Sequence, residues 1–222
     1  MAGSPSDIPS IDDRLLDTAI DQFGRLGVEG ASTRAIAAAA GTTMSSITYH
    51  YGSKQGLYLA AARHIADQMG ERIAPALAES EARSREGDDP DAALAALLTI
   101  IDRFVEMMVH PESADWARFI VREQMEPTEA FDVLYSGVMG RLVDYLSALI
   151  VRLGGGHCDA AEARLKTMAI VGQALVFRVA RATLLRVTGW TDVDSDGAAT
   201  IRCIVRAHTR AILTSTCGDL AP

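Results

Sequence analysis

An all-α fold is what this chain predicts, on three observations. Apolar residues recur at three- and four-residue spacing through most of its 222 residues, the period of a helix with one buried face. No run alternates apolar and polar residues, so strands are not expected. The periodic stretches are punctuated by single glycines, His110-Pro111, Glu126-Pro127 and Gly154-Gly155-Gly156, which stop helices. About nine helices follow: a three-helix helix-turn-helix unit over 10–54, a connecting helix over 55–82 and a helical bundle over 83–222. Hydrophobic residues make up 49% and charged residues 23%, the balance of a soluble globular chain with a core.

Residues 1–9 are rich in Ser and Pro and are expected to be a disordered tail. Ser10, with Asp13 three residues on, reads as a capping box that opens the first helix. Ile11, Leu15, Leu16, Ala19, Ile20, Phe23 and Leu26 give that helix one apolar face, and Gly27 ends it. Gly30 starts a turn, and Ser32 or Thr33 caps a short alanine-rich second helix that stops at Gly41. A third short helix runs from about Met44 to His50, with Ile47 facing Ile36, and stops at Gly52. Ser53 caps the connecting helix, whose inward stripe is Leu57, Tyr58, Ala61, Ile65 and Met69. The polar linker RSREGDDPD, 83–91, leads to helices at about 91–109, 113–125, 128–153, 159–188 and 196–216. No internal repeat is visible.

Two short helices joined by a glycine-bearing turn form a helix-turn-helix, whose second helix enters the DNA major groove. Met44, Ser45, Thr48 and Tyr49 project outward from it; around them stand hydroxyls, aromatics, an imidazole and a lysine, groups that bind phosphate oxygens and base edges. The net charge of −8 argues against a DNA partner until its distribution is read. Between Gly30 and Ala66 there is no Asp or Glu, while Arg34, Lys54 and Arg63 are basic; Asp67 to Asp132 holds sixteen acidic residues against six arginines. An acidic body orients a cationic tip toward DNA. An alanine-rich stretch that simply lacks charges gives the same pattern. Lys54 opens the connecting helix, where a cation opposes the helix dipole, so a phosphate clamp explains it better than local stability.

The run TRAIAAAAG…ITYHYGSKQGLY resembles the DNA-binding domain of the TetR family of bacterial transcriptional regulators, over roughly residues 12–60. Its specific part is Tyr49-His50-Tyr51-Gly52-Ser53-Lys54 followed by Leu57. The resemblance implies a dimeric repressor on a palindromic double-stranded operator. Thr33, Ser46, Tyr49, His50 and Lys54 are expected on phosphates, and Arg34, Met44 and Ser45 at base edges; Thr43 and Thr48 complete the DNA-binding set. Thr48 stands where the family usually carries a Tyr, so a contact made by that ring elsewhere is in doubt here.

In the second part, WARFIVREQMEPTEAFDVLY and AIVGQALVFRVARATLLRVTGW resemble the C-terminal domain of the CecR-like branch of the same family, over roughly residues 90–215. That implies a domain that binds a ligand, here an unknown small-molecule effector, and joins two copies of the chain. Ile170, Val171, Ala174, Leu175, Val176, Phe177, Val179, Leu184 and Leu185 are too many for one core-facing stripe. Either a four-helix homodimer interface or a central helix in a monomeric bundle accounts for them. Trp116, Phe119, Glu123, Phe131, Gln173, Phe177 and Arg178 are the ligand candidates, mostly apolar walls with a few polar groups. Ordinary core aromatics and surface ion pairs are the alternative.

Catalysis, cofactors and metals are not expected. His50, His64, His110, His157 and His208 lack ligand spacing. The triple glycine follows a helix and has no lysine and hydroxyl sequel, and no Ser sits in a nucleophile elbow. His157-Cys158-Asp159 reads as a turn and cap, or as a thiol or metal site. Cys158, Cys203 and Cys217 lack CxxC spacing and fit reduced thiols, with redox sensing open to one of them. No run approaches the roughly 18 apolar residues of a membrane span, and the N-terminus has no signal sequence. Cytoplasm, with no membrane partner, is the default.

Overall fold

A computed structural model describes residues 11–85 and 89–215, apart from the side chains of 11 and 83–85. The tail over 1–9, the cap at Ser10, the middle of the 83–91 linker and Cys217 lie outside the described residues. Among those described there are ten helices and no strand: α1 Ile11–Gly30, α2 Thr33–Ala40, α3 Met44–Tyr51, α4 Lys54–Arg85, α5 Pro90–Val109, α6 Ser113–Met125, α7 Glu129–Leu153, α8 Ala160–Val179, α9 Arg181–Thr188 and α10 Ser195–Thr214. A single π turn, Tyr135–Met139, interrupts α7.

The helices form two compact units: residues up to Gln68 with Ala114–Gly137, and Met69–Ser113 with residues from Val138 on. The first unit encloses Leu15, Ala19, Ile20 and Phe23 of α1, Ile36 of α2, Ile47 of α3, Leu57, Tyr58, Ala61 and Ile65 of α4, and Phe119 of α6. Leu26, expected on the same face of α1, is exposed beside a kink at Gly27, where φ is 72° and ψ 172°. The segment 114–137, which the sequence assigns to the C-terminal bundle, thus folds with the N-terminal helices. At Gly24 an added Cβ would stand 3.2 Å from both Arg118 Cβ and the Phe119 nitrogen, so α1 and α6 cross at glycine distance. Arg118 pairs with Asp21 of α1 at 3.2 Å.

In the second unit α5 is the central helix, buried along Ala93, Ala96, Leu97, Ile100, Ile101, Phe104, Val105 and Met108 and packed by α7, α8 and α10. A helix apolar on several sides has to be covered on several sides. Its carboxyl end is satisfied by cations: Arg178 Nε donates to the Met108 carbonyl at 2.6 Å, the same guanidinium reaches the His110 carbonyl, and Arg181 donates to Val109 at 3.4 Å. Positive side chains there meet orphan carbonyls and the negative end of the dipole. The helix expected over 159–188 breaks at Ala180 into α8 and α9, bent by 75°. The break falls between Arg178 and Arg181, both turned to the end of α5, with no Gly or Pro to announce it. By length and apolar composition α7 could cross a membrane, but its Leu142, Leu146, Leu149 and Ile150 are core.

Candidate nucleic-acid interface

The interface is built from caps. Ser32, with extended backbone, caps α2 through its hydroxyl, which accepts from the Ala35 N–H at 3.4 Å. Thr33 is therefore the first helical residue rather than the cap, and the N–H groups of Thr33 and Arg34 head the helix as its open donors. Gly41 ends α2 in the left-handed region, φ 71°, with nothing within 4 Å of a would-be Cβ; torsion alone selects glycine there. Thr43 caps α3, accepting from Ser46 N–H at 3.2 Å.

Only Ile47 of α3 is buried. Met44, Ser45, Thr48, Tyr49 and His50 are exposed and Ser46 half-buried. Tyr49 is 87% exposed and meets His50 edge to face, ring centroids 5.1 Å apart. Thr48 donates its hydroxyl proton to the Met44 carbonyl at 3.0 Å. Gly52, φ 72°, ends the helix, and the Ser53 hydroxyl accepts from Gly56 N–H at 3.0 Å to open α4.

Lys54 is half-buried, and its ammonium donates to the Glu29 carbonyl at 3.3 Å. At the amino end of α4 a cation has no local reason, since it opposes the helix dipole. The fold supplies one: it reaches the carboxyl end of α1, where positive charge is favourable. Tyr51, which follows exposed Tyr49 and His50 in sequence, is half-buried; burial, then the charges of Asp12 and Asp13, raise its phenol above its ordinary value of 10.0. All ten DNA-binding candidates thus fall on the α2 N-terminus, α3 and the first residue of α4. Gly56 was missed. A Cβ on it would stand 2.0 Å from the Tyr51 carbonyl oxygen, so the α3–α4 corner exists at this closeness only with glycine. The available signal was a glycine inside a helix without a capping role.

The ligand candidates divide between the units. In the first, Phe119 lies fully buried against Tyr58, ring centroids 4.6 Å apart, and Tyr58 meets Phe23 at 4.9 Å. Buried Glu123 accepts from the Tyr58 hydroxyl at 2.5 Å and from the backbone N–H of Thr128, the cap of α7, at 3.0 Å. Burial and this hydrogen bond push the Tyr58 phenol well above its usual range. Trp116 is buried, and half-buried Phe131 stacks on Tyr135 at 5.9 Å. In the second unit Gln173 donates to the Thr209 hydroxyl at 3.2 Å, Phe177 is half-buried, and Arg178 is the buried cation at the end of α5. The same unit carries an uncovered apolar face: Leu165, Met168, Val176 and Val179 of α8, with Ile204 of α10, all exposed.

Comparison with known proteins gives this geometry a context. Residues 15–61 match the family described as bacterial regulatory proteins, tetR family, and residues 93–215 match the C-terminal domain of the HTH-type transcriptional dual regulator CecR. The chain is 36% identical over 203 residues to the HTH-type transcriptional dual regulator CecR of Shigella flexneri, covering 90% of each protein. Its fold is similar to that of a TetR-like transcriptional regulator from Rhodococcus sp. RHA1, with a TM-score of 0.61 at 22% identity over 92% of this chain and 98% of that one. It is also similar to AibR, solved in complex with isovaleryl coenzyme A and operator DNA, with a TM-score of 0.64 at 16% identity over 90% and 97% of the two chains.

Proposed function

The chain belongs to the TetR family of bacterial transcriptional regulators, with a C-terminal domain of the CecR type, and from that premise we propose a dimeric repressor of a palindromic operator, released by a small-molecule effector. One observation carries the DNA reading: α3 presents its hydroxyls, Tyr49 and His50 to solvent within a stretch, Gly30 to Ala66, that holds no carboxylate. Phosphates are held by Thr33, Ser46, Tyr49, His50 and Lys54, with the open N–H groups of α2 helping. Thr43 keeps its hydroxyl proton for the same use. Arg34, Met44 and Ser45 face base edges. Two copies joined through the exposed apolar faces of α8 and α10 place their α3 helices in successive major grooves, about 34 Å apart. A DNA partner makes cytoplasm the working compartment.

The effector belongs to the C-terminal domain. Gln173 and Phe177 of the second unit are its candidate contacts, since Arg178 beside them is committed to the end of α5. Support for a response at the DNA comes from 114–137: by sequence it lies in the CecR-type region, yet it folds around Tyr58 with the DNA-reading helices. An effector changes operator affinity by no more than its own preference between the two dimer states.

The test is an electrophoretic shift with the DNA upstream of the chain's own gene, across a salt series. Lys54→Ala should weaken all sequences alike and lower the salt slope by about one. Because Lys54 also ties down α1, a thermal melt of the variant separates lost fold from lost phosphate. A variant that folds and changes sequence preference at unchanged affinity overturns the phosphate role; absence of any shift with the native chain overturns the whole reading. Thermal-shift screening of small amphipathic compounds, with and without operator, tests the effector.

A further inference from the structure

The outward face of α3 is Met44, Ser45, Thr48 and Tyr49. None is an Arg, Lys, Asn or Gln, the side chains that grip guanine or adenine with paired hydrogen bonds. Discrimination by this helix has to come from methyl groups and single polar atoms.

Thr48 is the residue where the structure narrows the choice. Its side chain is exposed, and its only hydroxyl proton is given to the Met44 carbonyl one turn back, at 3.0 Å. With the hydroxyl proton engaged by the helix backbone, what this exposed side chain has left for an outside contact is its γ-methyl, beside an oxygen that can only accept. In the major groove an A·T pair shows adenine N7 and thymine O4 as acceptors, the adenine amino group as donor and the C5-methyl on thymine. A G·C pair shows guanine N7 and O6 as acceptors and the cytosine amino group as donor, with no methyl. Acceptors and an amino donor occur in both pairs, so the γ-methyl is the group of Thr48 that can tell A·T from G·C. Met44 lies four residues earlier on the same helix face, exposed, and extends the apolar strip.

We propose that Thr48 is a specificity-determining residue that selects an A·T pair in each half-site through contact of its γ-methyl with the thymine C5-methyl. The proposal rests on the reading of α3 as the DNA-reading helix.

The test replaces atoms on both sides of the contact. Full-length protein first selects its half-site from randomised duplex DNA. Each thymine of the selected site is then exchanged, one position at a time, for deoxyuridine, which removes only the methyl. Native protein should lose about fourfold in affinity per half-site at one thymine, the effect of one buried methyl. Thr48→Ser keeps the hydroxyl and its bond to Met44 but lacks the methyl; it should bind the thymine and uracil duplexes equally at that position and discriminate as before elsewhere. Uracil tolerated at every position, or Thr48→Ser still distinguishing thymine from uracil at that position, overturns the proposal while leaving sequence-specific binding intact. If no duplex is retained, the proposal falls together with the DNA-binding reading.

Discussion

Gly56 and Gly70 both lie inside α4, and a methyl added to each meets opposite surroundings. At Gly70 nothing stands within 4 Å of the new Cβ, whereas at Gly56 the Tyr51 carbonyl oxygen is 2.0 Å away. Alanine gains up to about 1 kcal/mol over glycine in a helix interior. Forcing an atom into filled space costs about 1–3 kcal/mol, and a backbone carbonyl cannot swing aside as a side chain can. Gly70→Ala should therefore raise the melting temperature and leave operator binding unchanged. Gly56→Ala should lower it and weaken operator binding further, because the corner it widens sets the angle between α3 and Lys54. A melt and a gel shift on each variant check both, and a Gly56→Ala protein as stable as the native chain would contradict the corner geometry.

α1 and α4 are tied by charge as well as by their apolar stripes, and that tie sets a pH dependence. His64 meets Asp17 at 3.3 Å. This hydrogen bond raises the imidazole above its ordinary 6.5, against the opposing effect of burial. The folded state thus holds the proton more tightly than the unfolded chain. The stabilisation is complete below about pH 6.5 and is lost as pH rises through the higher folded value. Asp17 stands largely in solvent, so the effect is at most about 1 kcal/mol. Melts across pH 6 to 8 should show the native protein losing more stability than Asp17→Asn; parallel curves would exclude the tie. The helices themselves were readable: the stripes at Leu15, Ala19 and Phe23 and at Leu57, Ala61 and Ile65 point inward because period alone dictates it. So were the stops at Gly41 and Gly52, which need positive φ. What could not be read was partnership between distant segments. Glu123 and Phe119 looked like pocket residues because a buried carboxylate among aromatics has that composition. Only the fold shows the Tyr58 hydroxyl and the Thr128 backbone as its partners. The break at Ala180 was equally hidden, since it comes from where Arg178 and Arg181 reach rather than from any helix-breaking residue.

At the scale of the whole molecule, the proposed dimer makes the face that joins two copies decide how tightly two DNA-reading tips hold an operator. Leu165, Val179 and Met168 are 71%, 59% and 55% exposed on α8, spaced so that they share one side of the helix. Their burial against a second copy would remove apolar surface from water at about 25 cal/mol per Å², whereas the described residues of their own unit leave them exposed. Linking two tips makes the second contact intramolecular, which raises apparent affinity by about 10² to 10⁴. A charge at the centre of that face should therefore cost more in operator binding than any single phosphate contact, although it stands far along the chain from α3. Met168→Glu places a carboxylate on each copy at an exposed position, so the fold of the single chain has no reason to change. Sedimentation should then show a monomer with native helix content. Its affinity for the full palindrome should fall toward that of the native protein for an isolated half-site, by 100-fold or more, while half-site binding itself stays as it was. A Met168→Glu protein that still sediments as a dimer would place the interface on another face, and a monomer that retained full palindrome affinity would remove the reason for a dimer altogether.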